Sequence, residues 1–290
     1  MPRPRLALPA VVLTAAALCP PAVRPADPVP AAARPTMEET ATVTVEVDLD
    51  AVLAEAVDPV VAGAAGAAGG DASLSVAVLD LETGRSASYG GAGRTYDTAS
   101  IVKLDILAAL LLRAQDEGRE PTAAERTAAA AMIERSDNAS ATTLWQTIGG
   151  AEGLDAANAR LGLTETTGAA AWGLTQTTAD DQLALLEAVF GTDSPLAADS
   201  RAYVAELMEG VVAGQDWGVS AAGAGPALKN GWLPREATGL WDINSVGRVT
   251  AGGRVYLVAV VSDGHSTKEA GIGLVEDAAR AAVTAVGAVL

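Results

Sequence analysis

Histidine and cysteine are nearly missing from this 290-residue chain: His265 and Cys19 are the only examples. Zinc and iron–sulfur centres are built from clusters of these two residues, so both are disfavoured. A hydrolase built on a Ser-His-Asp triad is disfavoured as well, because His265 falls in a Gly/Ser-rich turn after a strand and is expected on the surface. The nearest approach to a nucleophile elbow, Gly218-Val-Ser220-Ala-Ala222, lacks the final glycine. Positive charge is scarce: 19 Lys and Arg stand against 36 Asp and Glu, for a net charge of -17. That balance argues against nucleic acid or an anionic membrane surface as a partner. A Gly-Lys-Ser/Thr phosphate loop is also absent, which disfavours nucleotide chemistry.

What is present is apolar. Half of the residues are hydrophobic, enough for a sizeable core. Arg3 and Arg5 precede an apolar stretch from Leu6 to Leu18, the pattern of an export signal, and the stretch is too short for a membrane-spanning helix. Residues 1–26 are therefore expected to be a signal peptide or lipoprotein signal, and 27–45, rich in Pro, Ala and Glu, a disordered tether. Export makes the expected location secreted or cell-envelope associated. Cleavage just before Cys19 would leave it free to carry a lipid anchor; cleavage beyond it would remove the only cysteine.

Residues 46–290 read as one two-part domain. A helix is expected over Val47 to Ala64, interrupted near Pro59. A hairpin follows, with a strand at Leu74–Leu79, a turn at Glu82-Thr-Gly84 and a return strand to Tyr89. Ile101 to Leu112 is apolar except for Lys103 and Asp105, so it reads as a buried helix, with a charged break over Arg113 to Glu120. Further helices are expected from Pro121 to about Arg135, then at Ala139–Ile148, Asp155–Leu161, Asp180–Phe190 and Arg201–Val212. Strand patterns return from Pro226, over Leu240–Thr250 and at Tyr256–Val261, before a closing helix from Glu269. Strands at both ends predict one sheet assembled from both termini, 46–98 and 223–290, with an all-helical lobe inserted at 99–222.

A lysine in an apolar helix loses hydration and needs partners. Ser100 lies three residues before Lys103, on the same face, at a helix start where free N–H groups favour negative charge. Burial lowers a lysine's pKa and fits it to act as a base. Two further triplets follow in order: Ser136-Asp137-Asn138 between two helices, and Lys229-Asn230-Gly231 entering the second strand region. Taken alone, the first is an ordinary helix-capping loop and the second a hairpin turn. Together, Ser-x-x-Lys, Ser-Asp-Asn and Lys-x-Gly resemble the signature of class A β-lactamases and penicillin-binding proteins. The segment Glu134 to Gly150 and the flanking hairpin, strands and closing helix extend the resemblance from about Val47 to Leu290.

The resemblance implies a two-lobed α/β (α+β) fold, with an antiparallel sheet of about five strands and terminal helices. It implies a monomeric serine acyl-transfer hydrolase that needs no cofactor or metal and acts on a β-lactam or a peptidoglycan-type amide or ester. Ser100 would be the nucleophile, Lys103 its base and Ser136 the proton relay to the leaving nitrogen, with Lys229 supplying a favourable field and attracting a substrate carboxylate. Asn138, Asn230, Gly231 and Trp232 would bind substrate, and the N–H groups of Ser100 and Trp232 would form the oxyanion hole. Two departures stand out. Asn230 replaces the usual Thr or Ser, whose hydroxyl helps bind the substrate carboxylate. The Glu-x-x-Leu-Asn pattern that supplies the deacylating carboxylate is absent; the corresponding loop, Leu161 to Thr178, contains only Glu165, out of place. A peptidase, or a module that acylates and stays acylated, is the alternative reading.

Overall fold

A computed structural model describes residues 47–68, 72–91 and 93–289. The expected export signal, tether and Cys19 lie outside these residues. Helix α1 (Leu49–Ala68) leads to strands β1 (Ser73–Asp80) and β2 (Ser86–Tyr89), then a short β3 (Tyr96–Asp97). The helical block holds α2 (Val102–Asp116), α3 (Ala123–Glu134), α4 (Asn138–Ile148), α5 (Gly150–Leu161), a two-residue β4 (Gln176–Thr177), α6 (Ala179–Phe190) and α7 (Ala198–Glu209). Strands β5 (Ala224–Pro234), β6 (Trp241–Ala251) and β7 (Arg254–Asp263) follow, and α8 (Lys268–Ala288) closes the chain. The main sheet is antiparallel, in the order β2-β1-β7-β6-β5. This is the expected mixed α/β architecture, with strands from both ends of the chain in one sheet.

The sheet divides two cores, as the period-2 alternation of side chains requires. Val76, Val78, Val258 and Val260 pack with α1 and α8, while Ala77, Leu79, Leu257, Ala259 and Val261 face the helical block. With both faces covered, β7 reads as a continuous apolar run. Helix α2 is buried on every side from Val102 to Leu112, which is why its sequence lacks a polar stripe.

Several boundaries differ from the sequence expectations. Helix α1 runs through Pro59 without a break. The carbonyl deprived of its donor belongs to Glu55, on the exposed side, where solvent can satisfy it. Helix α2 continues to Asp116, aided by an Arg113–Glu117 pair of 2.9 Å one turn apart. Helix α5 starts directly at Gly150, because Gly149 at φ 98° ends α4 and opens α5 in one residue. The small β3–β4 pair, which ties the 164–178 loop to the segment before Ser100, had no periodicity to announce it. His265 is not on the surface. It is 3% exposed, its backbone pairs with Trp241, and its ring sits over Gly271 of α8, where a Cβ would be 2.9 Å away. Burial pushes its pKa down, and its Nε2 lies 2.8 Å from Ser262 Oγ.

Candidate active site

Ser100 sits in a single 3₁₀ turn, Ala99–Ile101, that runs directly into α2. Ser136 occupies the tight connection between α3 and α4. Asp137 caps α4 by accepting from Ser140 N at 2.7 Å; the Ser140 side chain first, and then this backbone bond, hold its carboxyl below the usual range. The middle residue of Ser-Asp-Asn therefore builds the turn while its neighbours face the site. Among the described residues, only Ala99 (φ 46°) and Ser136 (φ 54°) are non-glycine residues at positive φ. Such backbone is strained by about 1–3 kcal/mol per residue and persists where surrounding structure enforces it. One of the two precedes the candidate nucleophile and the other is the candidate relay.

Lys103 is fully buried. Its Nζ lies 3.0 Å from Ser100 Oγ, 2.7 Å from the Ser136 carbonyl, 3.0 Å from Ser136 Oγ and 2.7 Å from Asn138 Oδ1. An ammonium has three protons for these four oxygens; once it has lost one, two remain for the Ser136 carbonyl and Asn138 Oδ1, and its lone pair faces the serine hydroxyls. Lys229, 1% exposed, donates from β5 to Ser136 Oγ at 3.1 Å and to the Asn230 carbonyl at 2.9 Å. Two lysines thus share one hydroxyl. Burial pushes Lys103 down to about 8, with the Asp137 charge opposing. Burial, then the Lys103 charge, pushes Lys229 well below its ordinary value.

Strand β5 is the sheet edge, so one side of its backbone is free to meet the 3₁₀ turn. It comes so close that a Cβ on Gly231 would lie 2.7 Å from the Thr98 carbonyl and 2.9 Å from Ser100 N. Asn230–Gly231 is therefore mid-strand, not a turn, and its glycine is required by the approach. Asn244, which sequence reasoning passed over, pairs with Gly231 on β6. Its Nδ2 donates to the Asp97 and Thr98 carbonyls at 2.9 and 3.1 Å, and its Oδ1 accepts from Ser262 N at 2.9 Å. It braces the backbone leading to Ser100; an asparagine inside a strand pattern was the only signal. The Asn230 side chain corrects its expected role. Its Nδ2 donates to the Gln215 and Trp217 carbonyls, both at 2.8 Å. Asn230 is 1% exposed, so its donor is not available to a substrate carboxylate.

A cleft of about 410 Å³ opens at this junction, lined by Ser100, Asn138 and Trp232 together with Ala171–Leu174 and Leu233. Of the remaining expected residues, buried Lys103 and Lys229 and half-buried Ser136 form the floor beside it, joined to Ser100 by the hydrogen bonds above. The Trp172 ring centre lies 5.0 Å from Lys103 Nζ, and its Nε1 donates to Thr142 Oγ1 at 3.3 Å. Among the described residues, no carboxylate lines this cleft. Glu165 is exposed and lines a separate cleft with Asp50, Ser88 and Asp180.

The family model described as the beta-lactamase enzyme family matches residues 122–286, more than half of the chain. The match contains Ser136-Asp-Asn138 and Lys229-Asn230-Gly231, and begins after Ser100. No curated protein matches. Among solved structures, a β-lactamase from Chitinophaga pinensis DSM 2588 is similar at TM-score 0.70 and 18% identity, over 81% of this chain and 99% of that one. PBP-A, in a variant captured as an acyl-enzyme with penicillin G, is similar at TM-score 0.68 and 21% identity, over 81% and 97%. A representative of class A β-lactamase from Bacteroides cellulosilyticus DSM 14838 is similar at TM-score 0.70 and 15% identity, over 84% and 100%. At these identities the structural likenesses establish the fold, and the family match spans the second and third motifs; the chain belongs to the β-lactamase enzyme family and is a serine hydrolase of the β-lactamase type.

Proposed function

We propose that Ser100 is acylated by β-lactams or related amides and esters, and that the acyl-enzyme is hydrolysed slowly. The observation that carries this reading is the Ser100–Lys103–Ser136–Lys229 chain of contacts, with a carboxylate-free cleft above it. In acylation, Ser100 Oγ bonds the acyl carbon while Lys103 Nζ takes its proton. The bond to the leaving nitrogen then breaks as Ser136 Oγ protonates that nitrogen, and Lys103 returns the proton to Ser136 across 3.0 Å. The oxyanion would meet the amides of Ser100 and Trp232, where β5 abuts the 3₁₀ turn. Deacylation needs a water and a base to activate it, and among the described residues no carboxylate lines the cleft. Losing one general base costs a factor of about 10²–10⁴ in rate.

The test is a stopped-flow trace with a chromogenic β-lactam beside intact-mass measurement. A burst equal to the enzyme concentration, a slow steady state and an adduct lost in Ser100→Ala are expected. Rapid turnover without a burst would sink the slow-deacylation reading; no adduct at all would sink the assignment of Ser100. The N-terminal pattern of Arg3, Arg5 and Leu6–Leu18 favours action outside the cytoplasm, as a secreted or lipid-anchored monomer. Cell fractionation and mass measurement of the mature N-terminus test that placement.

A further inference from the structure

We infer that the leaving-group side of the site is built for a group without negative charge, so that this enzyme does not select a free carboxylate there. The inference rests on acylation of Ser100 and narrows the substrate on its leaving side.

The proton relay marks that side. Ser136 Oγ delivers the proton, so the leaving atom must point toward Ser136 and Lys229. The segment Val212–Val219 is fastened as a strap to the neighbours of both residues. Gln215 Nε2 donates to the carbonyl of Arg135, the residue before Ser136, at 2.9 Å. Asn230, the residue after Lys229, holds the strap through the Gln215 and Trp217 carbonyls. Val212 N donates to the Glu134 carbonyl at 3.0 Å. Ser245, opposite Asn230 on β6, accepts from Val219 N at 2.9 Å. The backbone is seated so closely that a Cβ on Gly218 would overlap Ser245 Oγ. Asn230 and Ser245, the polar side chains of β5 and β6 next to Lys229 and its partner Val246, are thus both engaged by the strap.

A carboxylate arriving on this side finds little to neutralise it. Lys229 is 1% exposed, and burial first, then the Lys103 charge, draws it toward its neutral form. Its hydrogen bonds already go to Ser136 Oγ and the Asn230 carbonyl. The charged residues on the strap and at the ends of its hydrogen bonds are Glu134, Arg135, Asp216 and Glu276. Arg135 lies 3.9 Å from Glu134, Asp216 Oδ1 accepts from Gly214 N, and Glu276 Oε1 accepts from Gly218 N. Three acids against one base leave a local excess of negative charge, which repels an incoming carboxylate. Asn230 Oδ1 and Gln215 Oε1 are buried acceptors without partners among the described residues, and a carboxylate, which only accepts, can satisfy neither.

Two substrate pairs test this, each sharing its acyl group: the phenylacetyl esters of meta-hydroxybenzoate and meta-hydroxybenzamide, and benzylpenicillin with its methyl ester. Second-order rates of Ser100 acylation are followed by intact mass. Each is divided by the rate at which hydroxide opens the same bond, which removes intrinsic reactivity. A site that reads a carboxylate through a charged hydrogen bond would favour the acid of each pair by roughly 10–10²-fold. Here the uncharged member should be acylated at least as fast as the acid, and any excess should shrink at high salt. Asn230→Thr removes both anchor bonds, and Gln215→Ala frees the strap from Arg135. In both variants the ratio should move toward the acid, by roughly 3–10-fold for a lost hydrogen bond. An acid favoured about tenfold or more by the wild type, or ratios unmoved in both strap variants, would overturn the inference while leaving Ser100 acylation standing. No adduct from any of these compounds would overturn both.

Discussion

At the scale of single residues, the site depends on a lysine that folding has deprived of water. Lys103 is drawn down to about 8 by burial, so its neutral form, the base, grows as pH rises through that value. Acylation measured from pH 6 to 10 should therefore increase through about pH 8. Lys103→Ala should lower the rate by about 10²–10⁴-fold, and Lys103→Arg nearly as much, since a guanidinium keeps its proton. An arginine variant that acylates normally would make the lysine structural. Ser136 separates function from stability in another way. At φ 54° it holds a conformation that costs an L-residue about 1–2 kcal/mol and glycine almost nothing. Ser136→Gly should therefore be more stable than Ser136→Ala by about 1 kcal/mol in urea titrations, with both variants impaired alike in acylation. Equal stability would show that the turn is not strained.

At the scale of elements, catalytic geometry arises where an edge strand touches a helical turn. β5 reaches the Ser100 amide only because residue 231 has no side chain. In Gly231→Ala the new methyl meets backbone on the other side, which cannot rotate away, so strand and turn must part. Loss of one oxyanion donor costs roughly 10²–10³-fold, and Gly231→Ala should lose at least 10²-fold in acylation while circular dichroism stays native in shape. Retained acylation would place the oxyanion donors elsewhere. Across the cleft, the β3–β4 pair and the Thr166, Thr177 and Asp181 hydrogen bonds anchor the loop that carries Trp172.

At the scale of the whole molecule, the buried face of α2 carries a second ionisable group. Asp105 is fully buried, with Gln182 Nε2 3.4 Å from its Oδ1, while Asp105 Oδ2 and Gln182 Oε1 lack partners among the described residues. Burial first, with the Asp181 charge adding, raises its carboxyl to about 7. Protonation removes the charge from a buried carboxyl whose Oδ2 has no partner among the described residues. The sign follows from linkage. The folded state holds this proton up to about pH 7 and the unfolded chain releases it near the ordinary 3.8, so the contribution to stability is complete below about pH 4 and is lost as pH rises to about 7. The change is on the order of 4 kcal/mol. Asp105→Asn, which keeps the shape without the charge, should gain on the wild type in urea midpoint between pH 4.5 and 8. A constant difference across that range would mean that Asp105 does not titrate there.

The local pattern of the sequence announced the order of strands and helices, and the three triplets, through their resemblance to a known family, pointed to Ser100, Lys103, Ser136, Asn138 and Lys229. Each rests on something short-range: an apolar run, a cap, an alternation, a triplet. The pairing of Ser136 with two lysines, the bracing by Asn244 and the indole over Lys103 join positions tens of residues apart. No periodicity encodes such meetings. Asn230 and His265 show the same limit from the other side. Their residue types favour turns and surface loops, but a neighbouring loop took up one amide and a glycine on α8 admitted one imidazole. Local chemistry sets what a side chain is able to do; which partners it meets is decided by how the sheet and the helical block close around it, since burial and hydrogen bonding are settled only by tertiary packing.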